Sequence, residues 1–257
     1  MDSGEKKFPF AQAMVPEKIA KKVEEILQAL KTEFKNNFLA LILYGSWAKG
    51  KVRQDSDIDL LAIFKKRVDK DVAKRMNEIS SEMEVRYQRS VTLLPVKAGD
   101  FKMEKLPLFT AAKREGIIVF GSIDLKESPE RPEVKYKDFF KKSLEFENQK
   151  VEIAKRMLQE GLPSGIFALC FVASKHLLQA GLAMKGVGFA SKVKTLLPLV
   201  EEHFGSKVAS SLKRLFSFYV ETEYQFQLPG KAEATLAIED ANRVIQALRN
   251  MMRDISQ

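Results

Sequence analysis

From Leu41 to Phe64 the chain reads LILYGSWAKGKVRQDSDIDLLAIF, and no other stretch limits its folding so strongly. Apolar runs bracket a polar, acid-bearing insert. FLALILY (38–44) is predicted to be a fully buried strand, and Asp57–Phe64 a second one. Asp57 and Asp59 are thus written into the start of a strand whose remainder is apolar. Carboxylates there are costly to desolvate unless something cationic compensates them. Lys49, Lys51 and Arg53 could do so as a surface ion-pair group worth little to stability. A ligand is the other candidate.

The spacing favours the ligand. Gly45 and Ser46 sit where the first strand stops and a short helix begins. Gly permits close backbone approach, free N–H groups at a helix start attract an anion, and Ser46 adds a hydroxyl. Asp57 and Asp59 are two apart, so both point to one face of their strand with Cα atoms roughly 6.6–7 Å apart. Paired carboxylates make an oxygen site suited to Mg²⁺, which completes its shell with water and phosphate oxygens. A phosphate cradle beside such a pair can position a nucleoside triphosphate for in-line displacement.

The rest of the chain divides in character. Residues 17–35 place Ile19, Val23, Ile26, Leu27 and Leu30 at helical spacing after Pro16, and 69–86 do the same with Val72, Met76, Ile79 and Met83. A third strand is expected within 87–96, a short helix at 107–115 and a strand at 116–120. SIDLKESPERPEVK (122–135), with two prolines and many charges, is the expected linker. Beyond it, helices are expected at 136–158, 164–184, 189–203, 206–227 and 231–254, punctuated by glycines and Pro229. The predicted class is α+β: an N-terminal α/β domain with a short mixed sheet (1–121), the linker (122–135) and a C-terminal all-α antiparallel helical bundle (136–257).

Composition removes several classes. The 257 residues contain one cysteine, Cys170, and two histidines, which excludes an internal disulfide and a His- or Cys-rich metal cluster. No uninterrupted apolar run approaches the roughly 18 residues that span a bilayer, and the first residues lack a signal-peptide pattern, so a cytoplasmic protein without a membrane partner is expected. The net charge of +9 is spread evenly, +5 over residues 1–125 and +4 over the remainder. That distribution gives no clustered nucleic-acid footprint.

The segment LYGSWAKGKVRQDSDIDLLAIF resembles the signature of the DNA polymerase β-like nucleotidyltransferase superfamily, and most of all its minimal nucleotidyltransferases: Gly-Ser, ten residues, then Asp-x-Asp. Gly45, Ser46, Asp57 and Asp59 match, as does Ser56 before the first Asp. Lys49 stands where that family often carries arginine. The resemblance implies transfer of a nucleoside monophosphate, usually AMP from ATP, to an acceptor hydroxyl. It makes Asp57 and Asp59 catalytic metal ligands for Mg²⁺ or Mn²⁺, and Gly45, Ser46 and Lys49 the nucleotide-binding residues. ATP or another NTP is the expected substrate. The acceptor (small molecule, protein or RNA) is left open, and a homodimer is compatible.

Active members of that superfamily often carry a third carboxylate on a later strand. Here the segment YQRSVTLLPV (87–96) offers Ser90 and Thr92, while Glu82 and Glu84 lie upstream in a predicted helix. Residues 136–257 resemble, in helix pattern only, the HEPN and kanamycin nucleotidyltransferase C-terminal bundles. Neither His176 nor His203 follows an arginine at the ribonuclease spacing, which argues against an RNase, and His176 reads as structural. Glu145, Glu147 and Glu152 are candidates for a helical-domain base, with a solvated helix face as the competing reading. Two alternatives stand beside the enzyme: a catalytically weak nucleotide-binding module whose bundle holds a protein or RNA, and a protein adenylyltransferase of antitoxin type.

Overall fold

The computed structural model describes residues 15–52, 56–188, 190, 192–227 and 230–256. The chain forms two compact units that divide between Pro129 and Glu130.

The first unit begins with α1 (Glu17–Phe34), whose buried stripe of Ile19, Val23, Ile26, Leu27 and Leu30 is the predicted one. Then follow β1 (Phe38–Tyr44), a single helical turn α2 (Gly45–Ala48) and β2 (Ile58–Phe64). The order continues with α3 (Lys70–Tyr87), β3 (Val91–Lys97), α4 (Ala98–Lys102), α5 (Pro107–Glu115) and β4 (Ile117–Gly121). The mixed sheet has the order β3-β2-β1-β4. β1 runs antiparallel to both β2 and β4, and β2 runs parallel to β3 through the α3 crossover.

Strand alternation sorts the sheet into two faces. Leu41, Leu43, Ile58, Leu60, Ala62 and Phe64 pack with Val91 and Leu93 and with the stripes of α1 and α3. Ala40, Ile42, Leu61, Ile63 and Val96 pack with Phe101 of α4 and with Phe109 and Ala112 of α5. Each fully buried side chain of this kind contributes about 1.5–3 kcal/mol. Both faces are therefore covered along the middle of the sheet. In β1 and β2, polar side chains enter only at the strand end where β1 gives way to α2.

Several boundaries differ from the sequence reading, three of them in or beside the first unit. β2 starts at Ile58, so Asp57 stands just ahead of the strand. α3, capped by the Asp69 carboxylate accepting from the Val72 N–H (2.9 Å), runs on to Tyr87, and β3 begins only at Val91. The segment expected as linker is structured: it contains the turn α6 (Pro132–Lys135), and its first part is tied to the first unit. Arg114 forms a two-bond ion pair with Glu127 (3.0 and 2.8 Å), and the Ser128 N–H donates to Glu104. Glu104 itself is fully buried and receives the Lys113 ammonium (2.9 Å) and the Thr110 hydroxyl (2.6 Å). Lys113 also donates to the carbonyls of Lys102 and Lys126 (3.1 and 2.9 Å), which satisfies all three of its protons.

The second unit contains α7 (Lys137–Gln159), α8 (Ile166–Met184), α9 (Val193–Phe204), α10 (Ser206–Gln225) and α11 (Lys231–Ser256). Its core is built around α8, which packs on α7, α10 and α11. Phe167 stacks on Phe218 (4.9 Å between ring centroids) and Phe171 on Tyr219 (4.8 Å), joining α8 to α10. Gly181 lets α11 approach: a Cβ there would meet Leu248 at 2.5 Å and Phe204 at 2.9 Å. The stretch Pro163–Met184 is long and apolar enough to cross a bilayer, which the sequence reading missed by counting only uninterrupted runs. Its apolarity matches its place at the centre of a bundle, with 72% of the apolar window buried. Cys170 lies in this core, as expected, and burial pushes its thiol up to about 12.

Candidate active site

The site is assembled at one end of the first unit's sheet. β1 ends at Tyr44, whose neighbour in β2 is Asp59, and Asp59 in turn neighbours Thr92 of β3. Three adjacent strands thus present Tyr44, Asp59 and Thr92 as one row, on the face covered further along by α4 and α5. Asp57 precedes Asp59 by two residues, and its charge is felt at Asp59.

Gly45 turns the chain sharply out of β1 with φ +76°, a conformation costly for any residue with a Cβ. A Cβ at Gly45 would also collide with the Asp59 Oδ2 atom. The glycine predicted for close ligand approach is therefore required twice: by its own backbone, and by the carboxylate packed against it. Ser46 and Trp47 complete the turn of α2. This helix is only four residues long, so any anion would be held by its individual N–H groups and not by a macrodipole.

The backbone on either side of Asp57 is fixed from behind. The Ser56 carbonyl accepts from the Trp47 indole N–H (3.2 Å) and from the Arg89 guanidinium (2.5 Å), and the Ile58 N–H donates to the Ser90 carbonyl (2.9 Å). Arg89 also lies over the Trp47 ring at 5.7 Å. Trp47 is the chain's single tryptophan, and its place inside the motif was the one signal that could have flagged this buttress. Arg89 carried no such signal.

The electrostatics answer the question posed by the motif. Among the described residues, neither Asp57 nor Asp59 has a cationic partner. Lys49, the nearest candidate, is bound to Glu115 at the end of α5 (2.5 Å), with both side chains about 40% exposed. Its charge is therefore already offset at this site. Lys51 is exposed, and Arg53 lies outside the described residues. Burial, then the charge of Asp57, raise the Asp59 carboxyl above its usual range, while a hydrogen bond from Thr92 pulls the other way. Burial and then Asp59 likewise push the Tyr44 phenol upward. Among the described residues, the site therefore holds negative charge that no cation matches.

Among the described residues, no third carboxylate joins Asp57 and Asp59. Thr92 occupies the neighbouring strand position, and Ser90 lies in the turn before β3. Glu84 accepts from the Ser90 hydroxyl and the Val91 N–H (3.1 and 3.0 Å), and Glu82 is paired with Arg75 (3.7 Å). Both serve α3. No cluster of three or more acidic, histidine or cysteine side chains suited to a metal exists among the described residues. In the second unit Glu147 is buried against His176 Nδ1 (3.0 Å) and the Lys150 ammonium (2.6 Å), Glu152 is paired with Lys155 (2.6 Å), and Glu145 is exposed. The structural role expected of His176 is thus met by its bond to Glu147.

Comparison with known proteins agrees with this geometry. Residues 22–122 match the family described as Polymerase beta, Nucleotidyltransferase. A Methanocaldococcus jannaschii protein named "Putative protein adenylyltransferase" is 31% identical over 88 residues, which are 33% of this chain and 58% of that protein's length. The structure of spectinomycin adenyltransferase AAD(9) from Enterococcus faecialis, with ATP and spectinomycin, is similar at a TM-score of 0.52 and 12% identity. That likeness covers 89% of this chain and 98% of the other, and it is a likeness of fold. A nucleotidyltransferase-like protein from Exiguobacterium sibiricum is more distant, at a TM-score of 0.41 and 12% identity over 87% of this chain and 74% of its own. The family match over residues 22–122 agrees with the sheet topology and with the Gly45–Asp59 contact.

Proposed function

We propose that the chain transfers AMP from ATP to an acceptor hydroxyl. The observation that carries this reading is the Asp57–Asp59 pair, which has no cationic partner among the described residues and is packed against a glycine at φ +76°. The donor set fits a divalent metal: two carboxylates whose proximity is unfavourable unless a cation joins them. Asp57 and Asp59 would hold Mg²⁺, which supplies charge neutralisation for the triphosphate. Gly45 leaves room for the Asp59 carboxylate at the end of β1, and Ser46 offers a hydroxyl and a backbone N–H. Trp47 and Arg89 keep the Asp57 loop in position. In the reaction, the acceptor oxygen bonds to the α-phosphorus as the bond to the bridging oxygen of the β-phosphate breaks. Pyrophosphate leaves, and the acceptor proton passes to a base.

Lys49 serves the phosphates only if it turns from Glu115 or lies between the two. Its role is therefore secondary to that of the aspartates. The relative's name favours a protein side chain as acceptor, which matches the antitoxin-type alternative. The second unit is the candidate acceptor-recognition module.

One observation favours a different reading: Thr92 and Ser90 stand where a third acid is expected, so the domain could hold nucleotide and turn it over poorly. Calorimetry with ATP and Mg²⁺ tests the site in either case. Wild type should bind, and the Asp57→Ala/Asp59→Ala variant should lose metal-dependent affinity; equal affinity in both would refute the assignment. Incubation with α-labelled ATP and a panel of proteins, RNAs and aminoglycosides then separates the readings. Label on an acceptor supports transfer, and binding without label supports the module.

A further inference from the structure

Asp240 of α11 is fully buried and accepts four hydrogen bonds. The donors are the Ser211 hydroxyl (2.8 Å), Arg214 Nε and Nη2 (2.9 and 2.7 Å) and Arg243 Nη1 (2.6 Å). Arg243 Nη1 also reaches the Ser211 oxygen (2.8 Å). One carboxylate thus holds two guanidiniums, and the pair keeps a net positive charge. A third cation adds to it: Lys207, Ser210 and Arg214 follow one another at i, i+3 and i+7 along α10 and so share a face.

Ser206, Lys207, Ser210, Arg214 and Arg243 line an open, solvent-facing cavity of about 350 Å³. No acidic and no apolar side chain is part of that lining. A staple between two helices needs only the buried Asp240 and its direct donors. Lys207, Ser206 and Ser210 are surplus to it, and they gather three like-signed charges around a concave surface at an electrostatic cost. An anion would offset that cost. The bidentate hold of Asp240 on Arg214 fixes the guanidinium plane in advance, and Arg214 is part of the cavity lining. A planar fork, an ammonium and two hydroxyls suit the tetrahedral, multiply charged oxygens of a phosphate.

We propose that the Lys207–Arg214–Arg243 cavity of the helical unit is a binding site for a phosphate group, distinct from the Asp57–Asp59 site. The phosphate can belong to a small phosphomonoester or to an RNA backbone. The site uses no residue of the first unit, so it stands whether or not AMP transfer is confirmed.

The test uses the full chain without added Mg²⁺, so that binding at Asp57 and Asp59 is not promoted. Inorganic phosphate is titrated at constant ionic strength while the amide resonances of Ser206, Lys207 and Ser210 are followed by NMR. These should shift together and saturate. The Lys207→Ala/Ser210→Ala variant leaves every bond to Asp240 intact and should melt at the wild-type temperature, yet bind phosphate about tenfold or more weakly. Arg243→Lys keeps the charge without the fork and should also weaken binding. Glycerol phosphate and a short single-stranded RNA then identify the source. Displacement of phosphate by the ester alone indicates a small ligand, and tighter, salt-dependent displacement by the RNA indicates a backbone site. Shifts that do not saturate, or equal affinity in wild type and the Lys207→Ala/Ser210→Ala variant, would overturn the proposal and leave the cluster a link between α10 and α11.

Discussion

The two units treat their inward-facing acids in opposite ways. In the helical unit, Asp240 is matched by two arginines and a serine, and Glu147 by a histidine and a lysine. Away from its sheet end, the first unit follows the same rule, with Glu104 matched by Lys113. At the sheet end it abandons the rule: Asp59 is half-buried, beside Asp57, with only a threonine for support. Compensated acids serve the fold. The uncompensated pair weakens the fold and keeps charge ready for a ligand, the pattern expected where function is maintained at the expense of stability.

The largest effect should therefore fall on activity at the uncompensated pair. Asp57→Asn with Asp59→Asn is expected to lower AMP transfer about 10⁴-fold, equivalent to ~5.4 kcal/mol, in a label-transfer assay. Stability should move the other way. The Asp59 carboxyl in the folded chain lies above its unfolded value, so its contribution is present below the unfolded value and lost as pH rises through the folded one. At neutral pH the substitution removes a cost, and the metal-free protein should melt at a higher temperature. A lower melting point would break the comparison.

The compensated acid of the same unit should show the reverse. Lys113→Ala leaves Glu104, fully buried, without its cation, and should cost about 3–5 kcal/mol in chemical denaturation. Replacing Glu104 and Lys113 together with apolar residues of similar size should recover much of that loss. Because Glu104 also accepts from Ser128, the single variant should expose the 122–128 segment to proteolysis first.

Between these extremes stands Gly45, where fold and site share one position. Gly45→Ala forces a Cβ into φ +76° and onto Asp59 Oδ2, and should cost about 2–3 kcal/mol, measured by urea titration. ATP binding should fall with it. A fully stable Gly45→Ala variant would show that the Asp59 side chain moves freely, and the tight-packing account would fail.

What the sequence made legible follows from where each signal resides. The buried strands were read from apolar runs, and the bundle helices from period and glycine punctuation, because those signals are local. The Gly45, Asp57 and Asp59 pattern was legible for the same reason: a strand–turn–strand unit places its parts within fifteen residues. The Lys49–Glu115 pair was not, because its members are brought together only when β4 adds to β1. Glu104 with Lys113 was hidden too, since each reads as an ordinary surface charge. The start of β3 was misplaced because Tyr87 still belongs to α3 and the left-handed Gln88 opens a turn that delays the strand to Val91. Thr92 was visible but misjudged: as a missing acid it is a defect, and as the donor to Asp59 it is a support.

The smallest effect sharpens the contrast through pH. Burial alone would raise the Glu147 carboxyl, but hydrogen bonds from His176 and Lys150 outweigh it and hold the group below its ordinary 4.5. A folded value below the unfolded one means that the contribution is present above the unfolded value and lost as pH falls through the folded one. The helical unit should therefore lose this support only in acid, below about pH 4.5. Glu147→Gln removes a charge-assisted pair and should cost about 1–2 kcal/mol at neutral pH, read as faster amide exchange in α7 and α8. In acid the variant and wild type should converge, since wild type then carries a neutral Glu147 as well. For Asp59→Asn the sign is opposite, because the wild-type disadvantage grows as pH rises. The two variants should therefore diverge from wild type in opposite directions between acid and neutral pH. If both diverged in the same direction, the division into compensated and uncompensated acids would be wrong.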